Sequence, residues 1–228
     1  MIFPIGDDQV QGGDRPIFSY SLIAANVVVF AVMFLMIPPE SINGFYMTYG
    51  SIPSQIMSGH DWWTLGSSMF LHGGLMHLLG NMLFLWVFAD NIEATIGPWK
   101  FLAFYLAGGL IAGIAHTLFN PGSIVPAVGA SGAISAVLGA YLVMFPSSRI
   151  KVLILIIFTS ASIPAFLFLG FWILQQTISG VGAISTVDLE TGGVAWWAHI
   201  GGFAFGFLSG FYFRTLLKRR VSEVDLLV

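Results

Sequence analysis

Six long apolar runs punctuate the chain, at about 19–38, 70–88, 99–119, 131–146, 152–172 and 194–213, with polar or glycine-rich stretches between them. A helix crossing the hydrocarbon core of a bilayer needs roughly 20 mostly apolar residues, and each run reaches that length or comes near it. The pattern predicts an all-α polytopic membrane protein with six transmembrane helices. It also predicts one membrane domain over 19–217, flanked by short tails at 1–18 and 218–228. The first interhelical stretch carries Phe45, Tyr46, Trp62 and Trp63 and reads as a structure lying at headgroup level. The last, with Gly180, Gly182, Gly192 and Gly193, reads as a flexible lid.

The basic residues orient the bundle. Arg15 precedes the first run, Lys100 follows the turn between the second and third, and Arg149 and Lys151 separate the fourth from the fifth. Arg214, Lys218, Arg219 and Arg220 follow the sixth. With six spans all eight fall on one side, which the positive-inside rule makes cytoplasmic. Both termini are then expected to be cytoplasmic, and the inner (plasma) membrane is the expected location.

Composition narrows the classes further. Hydrophobic residues make up 57% and charged residues 8%, against about 25% charged in an average soluble domain. Mean hydropathy is +0.88. Soluble, disordered and nucleic-acid-binding classes are thereby excluded. The net charge of −3 indicates no polyionic partner. There is no cysteine, hence no thiolate metal site and no cysteine nucleophile. Neither a metal nor a cofactor is implied, and any catalysis falls to Ser, His, Asn or carboxylates.

The fourth run is the anomaly. Its roughly 16 residues cover about 24 Å of a core about 30 Å thick, so a helix anchored at Arg149 and Lys151 starts inside the membrane. The stretch before it, 120–130, has the Pro and Gly of irregular chain, tolerated at that depth only when buried in protein or lining a wet cavity. Ser131 stands where the helix opens. A serine there is ordinarily an N-cap, but its company is unusual. Intramembrane histidines default to function; the second run holds His72 and His77 and the sixth His199, and His77, Asn81 and His199 fall toward the level of Ser131. Ser131, Ser135 and Gly139 form a small-residue stripe on the fourth helix. Gly202, Gly206 and Gly210 form one on the sixth, with His199 on the same face. Such stripes let helix backbones approach closely.

The chain resembles the rhomboid intramembrane serine proteases. The resemblance rests on Gly129-Ala130-Ser131-Gly132, on Ala198-His199-Ile200-Gly201-Gly202 continuing to Gly206, and on His72 with His77 and Asn81. It covers all six spans. It implies a six-helix rhomboid-like bundle with Ser131 as nucleophile and His199 as base, and with His77 and Asn81 helping to form an oxyanion hole. The amides of Ser131 and Gly132 at the helix N-terminus are expected to add to that hole. Substrates are expected to be transmembrane segments that unwind at a site about 10 Å deep. They would enter past the fifth helix, where Phe171 and Trp172 form a gate and Gln175-Gln176 border the lid. The site would open to the external or periplasmic side.

Two positions depart from the family. Ser135 stands where an aromatic ring commonly stacks on the histidine, so the base must be held otherwise, by Trp196, Trp197 or helix packing. Trp62-Trp63 replaces a common Trp-Arg pair. His72 is expected to be structural, and His60 and His116 interfacial. No carboxylate is expected inside a span, which predicts a dyad without an orienting acid. The alternatives are an inactive rhomboid-like client-binding protein, which would lack the Ser or His, and a small transporter, which would show intramembrane carboxylates or inverted repeats.

Overall fold

The computed structural model describes residues 2–8, 15–154, 158–185 and 193–225. Asp188, Glu190 and Gly192 of the expected lid lie outside the described residues, as do the side chains of Arg219 and Arg220. In chain order the elements begin with a strand, β1 (Ile2–Gly6), and a helix, α1 (Ile17–Met36). Three short helices follow, α2 (Ile42–Tyr49), α3 (Pro53–Met57) and α4 (Thr64–Ser67). Then come α5 (Leu75–Ile96), α6 (Pro98–Phe119) and α7 (Ser131–Met144). The hairpin β2 (Arg149–Ile154) and β3 (Thr159–Pro164) leads to α8 (Ala165–Ser185) and α9 (Trp196–Asp225). Five helices, α1, α5, α6, α8 and α9, are long and apolar enough to cross a membrane, and α7 is a shorter apolar helix. The protein is a multi-pass helical membrane protein.

The fifth span departs from the sequence expectation. Of the residues counted in that run, 152–154 and 159–164 lie in the antiparallel strands β2 and β3, and the helix starts at Ala165 and continues to Ser185. The Val-Leu-Ile run suits a strand as well as a membrane span, and Pro164 favours a helix start directly after it. The segment read as an N-terminal tail adds β1 to this hairpin, giving a sheet in the order β1-β2-β3 with Phe3 opposite Leu153.

The second span also differs. Helix α5 runs past Phe88 to Ile96 and so carries Asp90 and Glu93 as buried residues inside the helix, correcting the expectation that no carboxylate lies in a span. Burial is possible because the charge is partnered. Glu93 is 0% exposed and accepts hydrogen bonds from the Phe18 and Ser19 amides at 2.8 and 2.7 Å and from the Ser19 hydroxyl at 2.6 Å. It thus satisfies the free N–H groups that open α1, where negative charge also suits the helix dipole. Nearby, Asp7 accepts from Asn91 at 2.6 Å and from Tyr141. The Asp8 carboxylate accepts from the Arg149 amide at 2.8 Å. These bonds tie the N-terminal segment to α5, α7 and β2.

Helix α7 occupies the centre, with twelve of its fourteen residues buried and with α5, α6, α8 and α9 all touching it. Its small residues permit this. A Cβ added at Gly202 would meet the Gly132 carbonyl, one at Gly206 the Ala136 carbonyl, and one at Gly210 the Ala140 backbone. The face of α7 that meets α9 is therefore Gly132, Ala136 and Ala140, with Gly139 against the Phe203 carbonyl. Of the expected Ser131–Ser135–Gly139 stripe Gly139 lies on this face, while Ala136 takes the place expected of Ser135. Ser135 instead donates to the Ser131 carbonyl at 2.6 Å.

The packing makes a direct prediction. Gly206→Ala puts a methyl group on the Ala136 backbone and should lower the thermal-unfolding midpoint of the purified protein. Gly170→Ala, with nothing within 4 Å of the added carbon, should leave it unchanged. Equal midpoints would contradict backbone-close packing of α7 on α9.

Candidate active site

The chain ahead of α7 is irregular, and its polar backbone is satisfied by protein. The Ser51 and Ala127 backbones bond reciprocally at 3.0 and 2.8 Å, and the Gly129 amide donates to the Ser68 carbonyl at 2.9 Å. Gly129 has φ +130°, a region L side chains rarely adopt. A Cβ there would also lie 2.8 Å from His77 Nε2 and 3.6 Å from Asn81 Nδ2. Glycine thus opens the space into which these two groups of α5 point.

Ser131 is the first residue inside α7, and Ala130 holds the cap position without a side-chain bond. The Ser131 hydroxyl is therefore not an N-cap. It lies 2.8 Å from His199 Nε2, in the first turn of α9. The glycine contacts below this point press the two helices together and set that distance. His199 is buried, and its Nδ1 lies 2.7 Å from Gln176 Oε1 of α8. Trp172 lies against the imidazole with ring centroids 5.8 Å apart, and Trp196 meets it edge-on at 6.3 Å. Trp197 stacks on Phe119 at 3.8 Å instead. Where Ser135 leaves no aromatic ring, two tryptophans and a glutamine amide surround the base.

His77 and Asn81 stand one turn apart on α5. The Gly73 amide donates to His77 Nδ1 across a long 3.4 Å, which leaves Nε2 as the protonated nitrogen facing Gly129. Asn81 Nδ2 is buried with no hydrogen-bond partner among the described residues, so it is a free donor beside the start of α7. The remaining histidines sort differently. His72 is fully buried, packs edge-on against His77 at 5.0 Å, and its carbonyl accepts from Tyr46 at 2.9 Å. Burial raises the Tyr46 hydroxyl above its usual value. His116, expected at the interface, lines a small cavity with Ser131, Ser51 and Ser68.

The two expected gate residues face different ways. Phe171 is 71% exposed on the outer face of α8, while Trp172 turns inward onto His199 and Phe203. Trp62 and Trp63 are exposed, and Trp63 meets Tyr49 edge-on at 5.8 Å. The sequence reading missed Gln176 as a neighbour of the histidine. The signal was its place four residues after Trp172, obscured when the helix was taken to end there. Among the described residues no group of histidines and carboxylates is placed to hold a metal.

A polytopic helical bundle with a Ser–His pair at the mouth of a short central helix defines the class. The profile of the Rhomboid domain matches residues 59–216, and the chain belongs to the rhomboid family. It is 32% identical over 201 residues to "Rhomboid protease GluP" of Bacillus subtilis (strain 168), covering 86% of this chain and 34% of that protein. It is 34% identical over 112 residues to "Putative rhomboid protease YdcA" of the same organism, 49% of this chain and 55% of that one. Identity to "RHOMBOID-like protein 4" of Arabidopsis thaliana is 30% over 164 residues, 69% and 35% of the two chains. The chain thus spans about a third to a half of the length of these relatives.

Proposed function

We propose that the chain is an intramembrane serine endopeptidase that cleaves transmembrane segments of membrane-protein substrates. The reading is carried by one observation, the Ser131 hydroxyl held 2.8 Å from His199 Nε2 within a helical bundle. A serine hydroxyl becomes a competent nucleophile when a base within hydrogen-bond reach takes its proton. In this reading His199 takes that proton as Ser131 attacks the scissile carbonyl, then gives it to the leaving amine. Water hydrolyses the acyl-enzyme by the same route in reverse. The developing oxyanion is met by His77 Nε2, Asn81 Nδ2 and the amides of Ser131 and Gly132. The two side-chain donors converge near Gly129, and α7 leaves its first N–H groups without intrahelical partners. Such donors are worth about 2.7–4 kcal/mol each.

The alternatives fit less well. A client-binding pseudoenzyme needs no Ser–His bond. A transporter would use intramembrane carboxylates for its cargo, but Glu93 is occupied by the N-terminus of α1. The basic residues Arg15, Lys100, Arg149, Lys151, Arg214 and Lys218 gather at the end of the bundle away from Ser131, which supports a cytoplasmic placement of that end and of both termini. The site then opens on the external face of the plasma membrane. Substrate entry past α8 is supported by the exposure of Phe171 on its outer face, whereas Trp172 belongs to the surroundings of the base.

Three outcomes test the reading on purified protein cleaving a transmembrane substrate in liposomes. Ser131→Ala and His199→Ala should each abolish cleavage, the double variant being no worse. Neutralising Glu40, Asp61, Asp188 or Glu190 should leave cleavage intact. Cleavage by Ser131→Ala would end the serine-protease reading, and a carboxylate variant as inactive as His199→Ala would replace the dyad by a triad.

Asn81→Ala and His77→Ala should each lower kcat by about 10²–10³-fold with little change in KM, since the oxyanion exists only in the transition state. A pure KM effect would give them a substrate-binding role instead.

Phe171→Ala should raise the cleavage rate by easing entry, and Trp172→Ala should lower it by loosening His199. Equal effects of the two would argue against the division between gate and support.

A further inference from the structure

Gln176 lies on α8 in one line with Trp172 and Gly180, at intervals of four residues, and this line docks on α9. Trp172 meets the His199 and Phe203 rings. Gly180 is so close that an added Cβ would come within 3.1 Å of Ile200 and 3.2 Å of Trp196. Between them Gln176 is only 4% exposed and places Oε1 2.7 Å from His199 Nδ1. An amide oxygen can only accept a hydrogen bond, so Nδ1 must carry the ring proton. The other ring nitrogen, Nε2, then presents its lone pair to the Ser131 hydroxyl 2.8 Å away. In the opposite tautomer Nε2 would already be protonated and could not take the serine proton.

We propose that Gln176 is the positioning residue of the site. It stands where a triad carries its acid, and its neutral amide fixes the tautomer and ring orientation of His199 without burying a charge. The inference rests on the Ser131–His199 reading above and extends it. A carboxylate at this place would need a partner to offset its desolvation, and none of the described basic residues lies near α9's first turn. The amide gives the same geometry at lower cost in apolar surroundings, but it stabilises the imidazolium less than a carboxylate would. The base is therefore held by the helix that lines the expected entry route, so α8 must be docked on α9 when the proton moves.

The test compares the purified full chain with Gln176→Met, close in shape but without the acceptor, Gln176→Asn, which shortens the reach, and Gln176→Glu, which restores an acceptor. Each is assayed for kcat and KM on a transmembrane peptide in liposomes. Each is also examined by 15N NMR of histidine-labelled protein, in which only five histidines contribute. The expected result is a loss of kcat of about tenfold or more in Gln176→Met and Gln176→Asn, with KM within about twofold. Gln176→Glu should recover most of that loss, because a buried carboxyl in its neutral form still accepts from Nδ1–H without burying a charge. The His199 signal should show the Nδ1–H form in the wild type and a mixture of tautomers in Gln176→Met. Unchanged kcat in Gln176→Met, or a wild-type tautomer with Gln176→Glu as impaired as Gln176→Met, overturns the proposal. Should Gln176→Met not fold, Gln176→Asn and Gln176→Glu still decide by the same two readouts. Failure here with Ser131→Ala inactive removes only the role of Gln176, whereas activity in Ser131→Ala removes the reading beneath it.

Discussion

Backbone contact between α7 and α9 is the constraint on which the rest of the structure depends. Gly202, Gly206 and Gly210 lie against the main chain of Gly132, Ala136 and Ala140, which is possible because α9 presents no side chain at these positions and α7 only small ones. In a bilayer, lipid tails are as apolar as the side chains they would replace, so helices associate through close van der Waals packing. The same packing brings the start of each helix level with the other and sets His199 beside Ser131 at 2.8 Å. Stability and the candidate chemistry thus come from one interface, and a methyl group added along it would disturb both.

The two ends of the bundle treat polarity in opposite ways. At the basic end, buried and half-buried carboxylates are engaged by hydrogen-bond donors. Glu93 receives three donors from the opening of α1, and Asp7 joins Asn91 and Tyr141. These bonds fix helix ends to one another and keep Glu93 and Asp7 from standing as free anions. At the other end the groups are neutral: a hydroxyl, imidazoles and two amides, one from Asn81 and one from Gln176. Neutral donors and acceptors can be preorganised in a low-dielectric site without the desolvation penalty of fixed charge. Irregular chain at that end is tolerated because its backbone pairs within the protein, as between Ser51 and Ala127.

Much of this was legible in the sequence because the site is built from residues rare inside membranes. Ser131, His77, Asn81 and His199 stand out against apolar runs, and the glycine spacing on α9 marks a contact face. Three features were hidden. The run at 152–164 reads equally well as strand or span, so the sequence puts the start of α8 about a dozen residues early and leaves Gln176 beyond its end, beside the lid. The contact face of α7 runs through Ala136 and not Ser135, a choice the sequence hides because both are small and only the packing shows which turns to α9. Glu93 lies beyond the apolar run that ends at Phe88, so its place inside α5 does not show in the sequence. The partner that makes its burial possible lies more than 70 residues away, at Phe18 and Ser19.

The central claim is that Ser131 is a nucleophile activated by His199. The most direct measurement is to react the purified protein with a fluorophosphonate and locate the adduct by mass spectrometry. A single adduct on the Ser131 oxygen is expected, absent when His199 is replaced by alanine in a protein that remains folded. An adduct on a different serine, or undiminished labelling of Ser131 without His199, would contradict it.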